Sequence, residues 1–227
     1  MLGRHETRAF ADAREQMVEQ QLRARGIADK RVLDAMRELP RHDFVPPRMR
    51  QFAYDDSPLP IGNGQTISQP LMVATMLEAL QLKGHERVLD VGTGSAYQAA
   101  LLSRLAREVI SIEIVPALAR TADSQLKRLA KTNVRVVLGD GSLGWPAEAP
   151  YQAIVVAAGA PRVPAALVDQ LDDDEGRLVI PVGDPLDQQL LRVRKRHQVL
   201  TTEELAWCEF VPLRGHAGWP KDAAAVA

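Results

Sequence analysis

The sequence predicts an α/β protein: a doubly wound, mostly parallel sheet, preceded by an N-terminal helical extension and closed by a C-terminal hairpin. Three observations predict it. From residue 86 onward, short runs of Val, Ile and Leu alternate with runs of helix formers. The strand candidates are almost continuously apolar, as strands covered on both faces are. Strand–helix alternation implies parallel strands joined by crossover helices.

The elements follow in order. Residues 10–25 are rich in helix formers, with a partial apolar stripe from Met17 and Leu22 that Gly26 ends. "DKRVLDAMRELP" predicts a second short helix stopped by Pro40. The proline-bearing stretch that follows reads as an ordered, irregular connector. Residues 59–70, "LPIGNGQTISQP", read as an uncharged, glycine-bearing loop in front of a helix over 71–81. "RVLDV", "EVISIEI", "VRVVLGD", "AIVVAAG" and "RLVIPVG" are the core strands. "AYQAALLSRLA", "PALARTADSQLKRLAK" and "PAALVDQL" are the helices between them. "QLLRVRK" and "LAWCEFVPL" have no helix between them and predict the hairpin. The whole chain, 1–227, reads as one domain: an extension over 1–58, a core over 59–213 and a fraying tail over 214–227. Trp145 and Trp207 are expected as core or loop anchors, Cys208 as core, and "RVRKRH" as the solvated side of a strand and turn.

Composition narrows the function classes. The chain has 227 residues, 46% of them apolar, enough for a packed core. Its 28 Lys and Arg against 29 Asp and Glu leave no basic face for nucleic acid, and 4% aromatics leave little for base stacking. One cysteine, Cys208, makes neither an internal disulfide nor a thiolate metal site. The five histidines are scattered without metal-ligand spacing, so no metal is expected. No secretory signal or membrane span is visible, and the expectation is a cytoplasmic, monomeric protein.

The chemistry starts at "VLDVGTGSAYQAALL". Gly92 and Gly94 lie between a strand and a helix, where free backbone N–H groups and the missing side chains let a ligand approach. Glu113 ends the next strand, 21 positions after Gly92, where an acid can take the hydroxyls of a ribose. The dinucleotide fingerprint needs a third glycine at position 97, which is Tyr97. Asp90 would repel a pyrophosphate but suit a cationic ligand. Asp140 and Gly141 close the third strand, where an adenine edge would lie. Glycine, acid and acid on successive strand ends read as an S-adenosylmethionine site. The bland alternatives are a tight turn at the glycines and helix caps at the acids.

Beyond this cofactor half, the sequence resembles the protein-L-isoaspartate O-methyltransferases. The resemblance rests on "AYDDSPLPIGNGQTISQP", continues through "VLDVGTGSAYQAALLSRL", "SIE", "GDG", "RLVIPVG" and "FVPL", and spans nearly all of residues 15–214. It implies a Rossmann-like methyltransferase fold that transfers a methyl group from S-adenosylmethionine to the α-carboxylate of L-isoaspartyl residues in proteins and peptides. S-adenosylhomocysteine is the product, and the methyl ester recloses to succinimide and returns partly to aspartate. By the same resemblance Ser68 is the active-site residue. Gln65, Thr66, Ile67, Ser68, Asp90, Gly92, Gly94, Glu113, Asp140 and Gly141 take the cofactor. Ile61, Thr66, Ser68, Val211, Pro212 and Leu213 take the substrate, the last three as a C-terminal strand beside its backbone.

Ala96 departs from the family's usual glycine, with only a mild backbone restriction expected. Asp174 and Glu175 replace a common glycine turn remote from the chemistry. The nucleophile, a carboxylate with a pKa near 4, is already ionised and needs no general base. The uncharged 59–70 loop is thus expected to be a wall that orients rather than reacts. For Ser68 the competing role is a helix cap before Pro70. A small-molecule methyltransferase, a nicotinamide oxidoreductase and a non-catalytic isoaspartyl-binding module remain the alternatives.

Overall fold

The computed structural model describes residues 8–220. The extension starts with α1 (Arg8–Gln16), widens through a π-type stretch over Met17–Leu22, tightens in a 3₁₀ turn over Arg23–Arg25, and turns at Gly26, whose φ of +102° suits a residue without a side chain. Helix α2 (Lys30–Glu38) starts at Asp29, whose carboxylate accepts from the Arg31 and Val32 amides, and buries Val32, Leu33, Ala35 and Met36. Two short 3₁₀ turns, Arg41–Phe44 and Pro47–Phe52, form the proline-rich connector.

The expected loop at 59–70 is instead an antiparallel hairpin, β1 (Leu59–Gly62) and β2 (Gln65–Ile67). Its turn is Asn63–Gly64, both left-handed at φ +56° and +68°. Asn-Gly with positive φ at both positions is the turn that matches strand twist. The pair was a strand-turn-strand signal in plain view.

Helix α3 (Pro70–Ala79) leads into the main sheet. The sheet strands are β3 (Arg87–Val91), β4 (Glu108–Glu113), β5 (Val134–Leu138), β6 (Ala153–Val156), β7 (Gly176–Asp184), β8 (Asp187–Arg196) and β9 (Val199–Cys208). Helices α4 (Tyr97–Leu105), α5 (Pro116–Arg128) and α6 (Ala165–Asp169) lie between them. The order across the sheet is β5-β4-β3-β6-β7-β8-β9, with β3 to β7 parallel and β8 and β9 antiparallel. The chain winds outward from β3 to β5, then restarts on the other side of β3 at β6. That reversal opens a crevice at the carboxyl ends of β3 and β6.

Alternate residues of the strands feed two apolar clusters. Val88, Val109, Val155 and Val179 join the cluster that runs into α2, α3 and α4, while Leu89, Ile110, Ile154 and Leu178 join the other. Burial on both faces explains why the strands read as unbroken apolar runs.

The C-terminal expectations need correction. The last strand begins at Val199 and ends at Cys208, so Val211–Leu213 lie beyond it and touch the sheet through one bridge, Gly159 to Pro212. Residues 214–220 do not fray: Arg214 bridges Trp219, and the Trp219 indole donates to the Gly159 carbonyl at 3.0 Å. The rest of that expected tail, 221–227, lies outside the described residues. Trp207 is no anchor, being 71% exposed on the sheet's edge strand, whereas Cys208 is partly buried as expected. Of the basic run, Lys195 is buried, donating to the Leu171 carbonyl at 3.2 Å, and Arg192 is tucked against Glu203.

Candidate active site

The crevice is a cleft walled by the carboxyl ends of β3, β4 and β6, the β1–β2 hairpin and residues 211–214. On the floor, Gly92 (φ +95°) and Gly94 (φ +52°) take backbone conformations that a side chain would strain. The Gly92 amide is held by the Ile112 carbonyl at 2.9 Å. The Glu113 carboxylate accepts from the Gly94 amide at 2.8 Å and from the Val115 amide at 2.9 Å, tying the glycine turn to the start of α5.

Gln65, Thr66, Ile67 and Ser68 form the facing wall. The helix-cap role for Ser68 is not what the geometry shows. The residue flanking α3 is Gln69, with no side-chain capping bond, and the Leu71 amide is taken by Asp56 at 3.1 Å. The Ser68 carbonyl is held from behind by the buried Arg41, whose Nη2 donates to it at 2.7 Å. Arg41 also lies 5.0 Å from the centroid of the Tyr97 ring, and Tyr97 lines the cleft.

Val211, Pro212 and Leu213 close the third side. The Gly159 amide donates to the Val211 carbonyl at 2.9 Å, and the Leu213 amide donates back to the Gly159 carbonyl at 2.8 Å. Gln188, fully buried, accepts from the Phe210 amide at 3.0 Å and donates to its carbonyl at 3.1 Å. Gly159 is required here, because a side chain there would meet the Gln188 amide at 2.4 Å.

Four expected site residues do not line the cleft. Asp90 is fully buried beneath it, accepting from Gln98 Nε2 at 2.8 Å and from Ser111 Oγ at 2.7 Å. Burial pushes its carboxyl up to about 6, against the opposing effect of those two donors. Gln98 does line the cleft, so Asp90 reaches it through that amide. Asp140 caps a short 3₁₀ turn: its Oδ1 accepts from the Ser142 amide at 2.9 Å and the Ser142 hydroxyl at 2.7 Å, and its Oδ2 accepts from the His216 amide at 2.7 Å. Gly141 is packed against Val91, where a side chain would come within 2.6 Å. Ile61, on β1, lies beside the glycine turn, its Cδ1 3.4 Å from where a Gly94 side chain would begin.

Sequence reasoning missed Thr93, Ser95, Val115, Ala157, Ala158 and Arg214 among the lining residues. Ala157 and Ala158 follow β6 and are found by the strand-end rule alone. Arg214 sits in a segment read as tail, which hid it. Ala96 is more constrained than expected: it is fully buried in the left-handed region at φ +70°, which costs an L-residue about 1–2 kcal/mol. Among the described residues no cluster of three or more His, Cys, Asp or Glu could hold a metal ion.

A doubly wound sheet with its cleft at the switch point, a two-glycine turn and an acid on the next strand defines the cofactor half of an S-adenosylmethionine-dependent methyltransferase. The groups present fit that cofactor: close backbone approach at Gly92, a carboxylate at Glu113 and no third glycine for a pyrophosphate turn. The comparisons go further. The family model described as Protein-L-isoaspartate(D-aspartate) O-methyltransferase matches residues 12–218. A protein-L-isoaspartate O-methyltransferase of Methanoculleus marisnigri is 54% identical over 91% of this chain and 93% of its own. One from Rhodopseudomonas palustris is 56% identical over 93% and 86%. Among solved structures, a protein-L-isoaspartate O-methyltransferase superposes with a TM-score of 0.80 at 30% identity, covering 90% of this chain and 67% of that one. A putative one from Plasmodium falciparum, in complex with S-adenosyl-L-homocysteine, has a TM-score of 0.77 at 27% identity, covering 88% and 98%. The chain belongs to the protein-L-isoaspartate(D-aspartate) O-methyltransferase family.

Proposed function

We propose that the cleft holds S-adenosylmethionine and the isoaspartyl carboxylate side by side, with the β1–β2 hairpin as a wall beside both. The chain's activity is that of its family: methyl transfer from S-adenosylmethionine to the α-carboxylate of L-isoaspartyl residues, which starts their repair through succinimide. One observation carries the site reading. Thr66 and Ser68 line the same cleft as Gly92 and Glu113 on one side and Val211–Leu213 on the other.

S-adenosylmethionine supplies a methyl group on a positively charged sulfur. The residues that would hold it are Gly92 and Gly94 at the turn, Glu113 toward the ribose hydroxyls and Gln65–Ile67 on the hairpin. Asp90 adds a buried negative charge behind Gln98, which favours a cationic ligand. Asp140 and Gly141 take part by fixing the loop beyond the adenine side rather than by facing the cleft. Ile61, on β1, packs the hairpin against the glycine turn at Gly94.

The acceptor carboxylate needs no base, and the wall offers none. The charged side chains that line the cleft are Glu113 and Arg214. Arg214 is exposed at the mouth, where its cation attracts the substrate carboxylate. Ser68 donates to that carboxylate and fixes its line of approach, and Val211–Leu213 hold the neighbouring backbone. Orientation of this kind contributes on the order of 7–11 kcal/mol to a two-molecule reaction.

The reading takes residues 1–227 as a single methyltransferase domain. It is supported by one apolar cluster that joins Met17 and Leu33 of the extension to Leu101 and Val155 of the core. It includes a monomer acting in the cytoplasm on isoaspartyl proteins and peptides, without nucleic acid or membrane. No helix among the described residues is long and apolar enough to cross a membrane. The test is transfer of labelled methyl to two peptides that differ only in isoaspartate or aspartate at one position. Base-labile label on the isoaspartyl peptide alone is expected; equal label on both, or on neither, contradicts the reading.

A further inference from the structure

A second groove, of about 410 Å³, lies on the other side of the hairpin wall and shares Thr66 and Ser68 with the active-site cleft. Trp207, Glu209, Phe210 and Met72 also line it. Trp207 is the most exposed large apolar side chain among the described residues, 71% exposed, and Glu209 beside it is also exposed. An exposed indole next to a carboxylate, lining a groove that shares Thr66 and Ser68 with the active-site cleft, offers a cation both an aromatic face and a counter-charge.

We infer that this groove is a subsite for a basic side chain adjacent to the isoaspartyl residue in the substrate, with Trp207 and Glu209 as specificity determinants. The inference rests on the reading of the cleft given above. Two arguments carry it. The first is continuity: a polypeptide whose isoaspartyl carboxylate meets Ser68 continues past the hairpin, and one residue advances it about 3.3 Å, so a near neighbour reaches the groove. The second is charge and shape. A Lys or Arg lays its stem along Met72 and Phe210, places its cation against the indole face and ends beside the Glu209 carboxylate. An acidic neighbour meets Glu209 with like charge. The site is held in place, since Gln188 clamps Phe210 through both its amide and its carbonyl.

The experiment measures KM and kcat for isoaspartyl peptides carrying Lys, Ala or Glu at the positions flanking the isoaspartyl residue. In the wild type the lysyl peptide is expected to have a KM roughly three- to fivefold below that of the alanyl peptide, and the glutamyl peptide the highest. Trp207→Ala brings the lysyl and alanyl values together, while Glu209→Gln narrows the gap and removes its dependence on salt. Circular dichroism melting confirms that both variants fold. Equal KM values for all three peptides in the wild type, or a parallel loss on lysyl and alanyl peptides in Trp207→Ala, overturn the subsite. Failure of the wild type to methylate any isoaspartyl peptide overturns the reading of the cleft itself.

Discussion

Arg41 Nη2 donates to the Ser68 carbonyl at 2.7 Å, and Nε of the same guanidinium donates to the Ala53 carbonyl at 2.8 Å. The side chain is fully buried, and desolvation lowers its pKa only to about 10, so it stays charged at neutral pH. The N-terminal extension therefore supports the active site from behind: Arg41, within it, fixes the backbone that presents Ser68. Arg41→Met leaves two carbonyls without their donor and should cost about 1–3 kcal/mol of stability. It should also lower kcat by roughly tenfold or more, since a misplaced Ser68 wall spoils orientation. Arg41→Lys, which can keep one of the bonds, should recover part of both. Thermal melting and steady-state kinetics check this together.

Ser68→Ala separates catalysis from capping. Asp56, not Ser68, serves the first turn of α3, so the melting temperature should change by less than about 2 °C. Loss of a hydrogen bond to a charged group, about 1.5–3 kcal/mol, predicts a fall in kcat/KM of roughly 10- to 100-fold. A melting drop that matches the loss of activity would restore the cap.

Asp90 gives a pH signature. Its pKa in the folded protein is about 6, above the ordinary 3.8. It therefore contributes stability that is complete below about 3.8 and is lost as the pH rises through about 6. Asp90→Asn should abolish that slope, so the stability difference between variant and wild type should shift in favour of the variant as the pH rises from 4 to 7. Urea midpoints across this range measure it. A difference that is flat with pH contradicts the buried, up-shifted carboxyl.

Arg214→Ala tests the cation at the mouth. It should raise the KM for isoaspartyl peptide several-fold, leave the affinity for S-adenosylhomocysteine within about twofold, and make KM less sensitive to salt. Peptide kinetics at two ionic strengths, with calorimetry for the cofactor product, check it. An equal loss of cofactor affinity would move Arg214 to the other half of the cleft.

Most of the fold was legible because strands buried on both faces have no polar alternation to obscure them, as Leu89 and Val88 on opposite faces show. The glycine turn and Glu113 were legible because their spacing is fixed by one strand–helix–strand unit. The acids were less so. Asp90 and Asp140 stand at strand ends like Glu113, and nothing in the sequence says that Gln98 and Ser111 consume one and Ser142 with His216 the other. Asn63–Gly64 was a readable hairpin signal, masked by the polar texture of the segment. The docking of residues 214–220 was not readable, because it rests on the Gly159 carbonyl taking the Trp219 indole and on Asp140 and Ser142 taking the His216 and Ala217 amides, rather than on any periodic pattern.

The central claim is that one cleft holds both molecules with Ser68 donating to the acceptor carboxylate. The crystal structure of the protein with S-adenosylhomocysteine and an isoaspartyl peptide tests it most directly. The account predicts the peptide α-carboxylate about 3 Å from Ser68 Oγ, the ribose on Glu113, and peptide backbone along Val211–Leu213. A peptide carboxylate seated away from Ser68, with the sulfur still at the glycine turn, would contradict it.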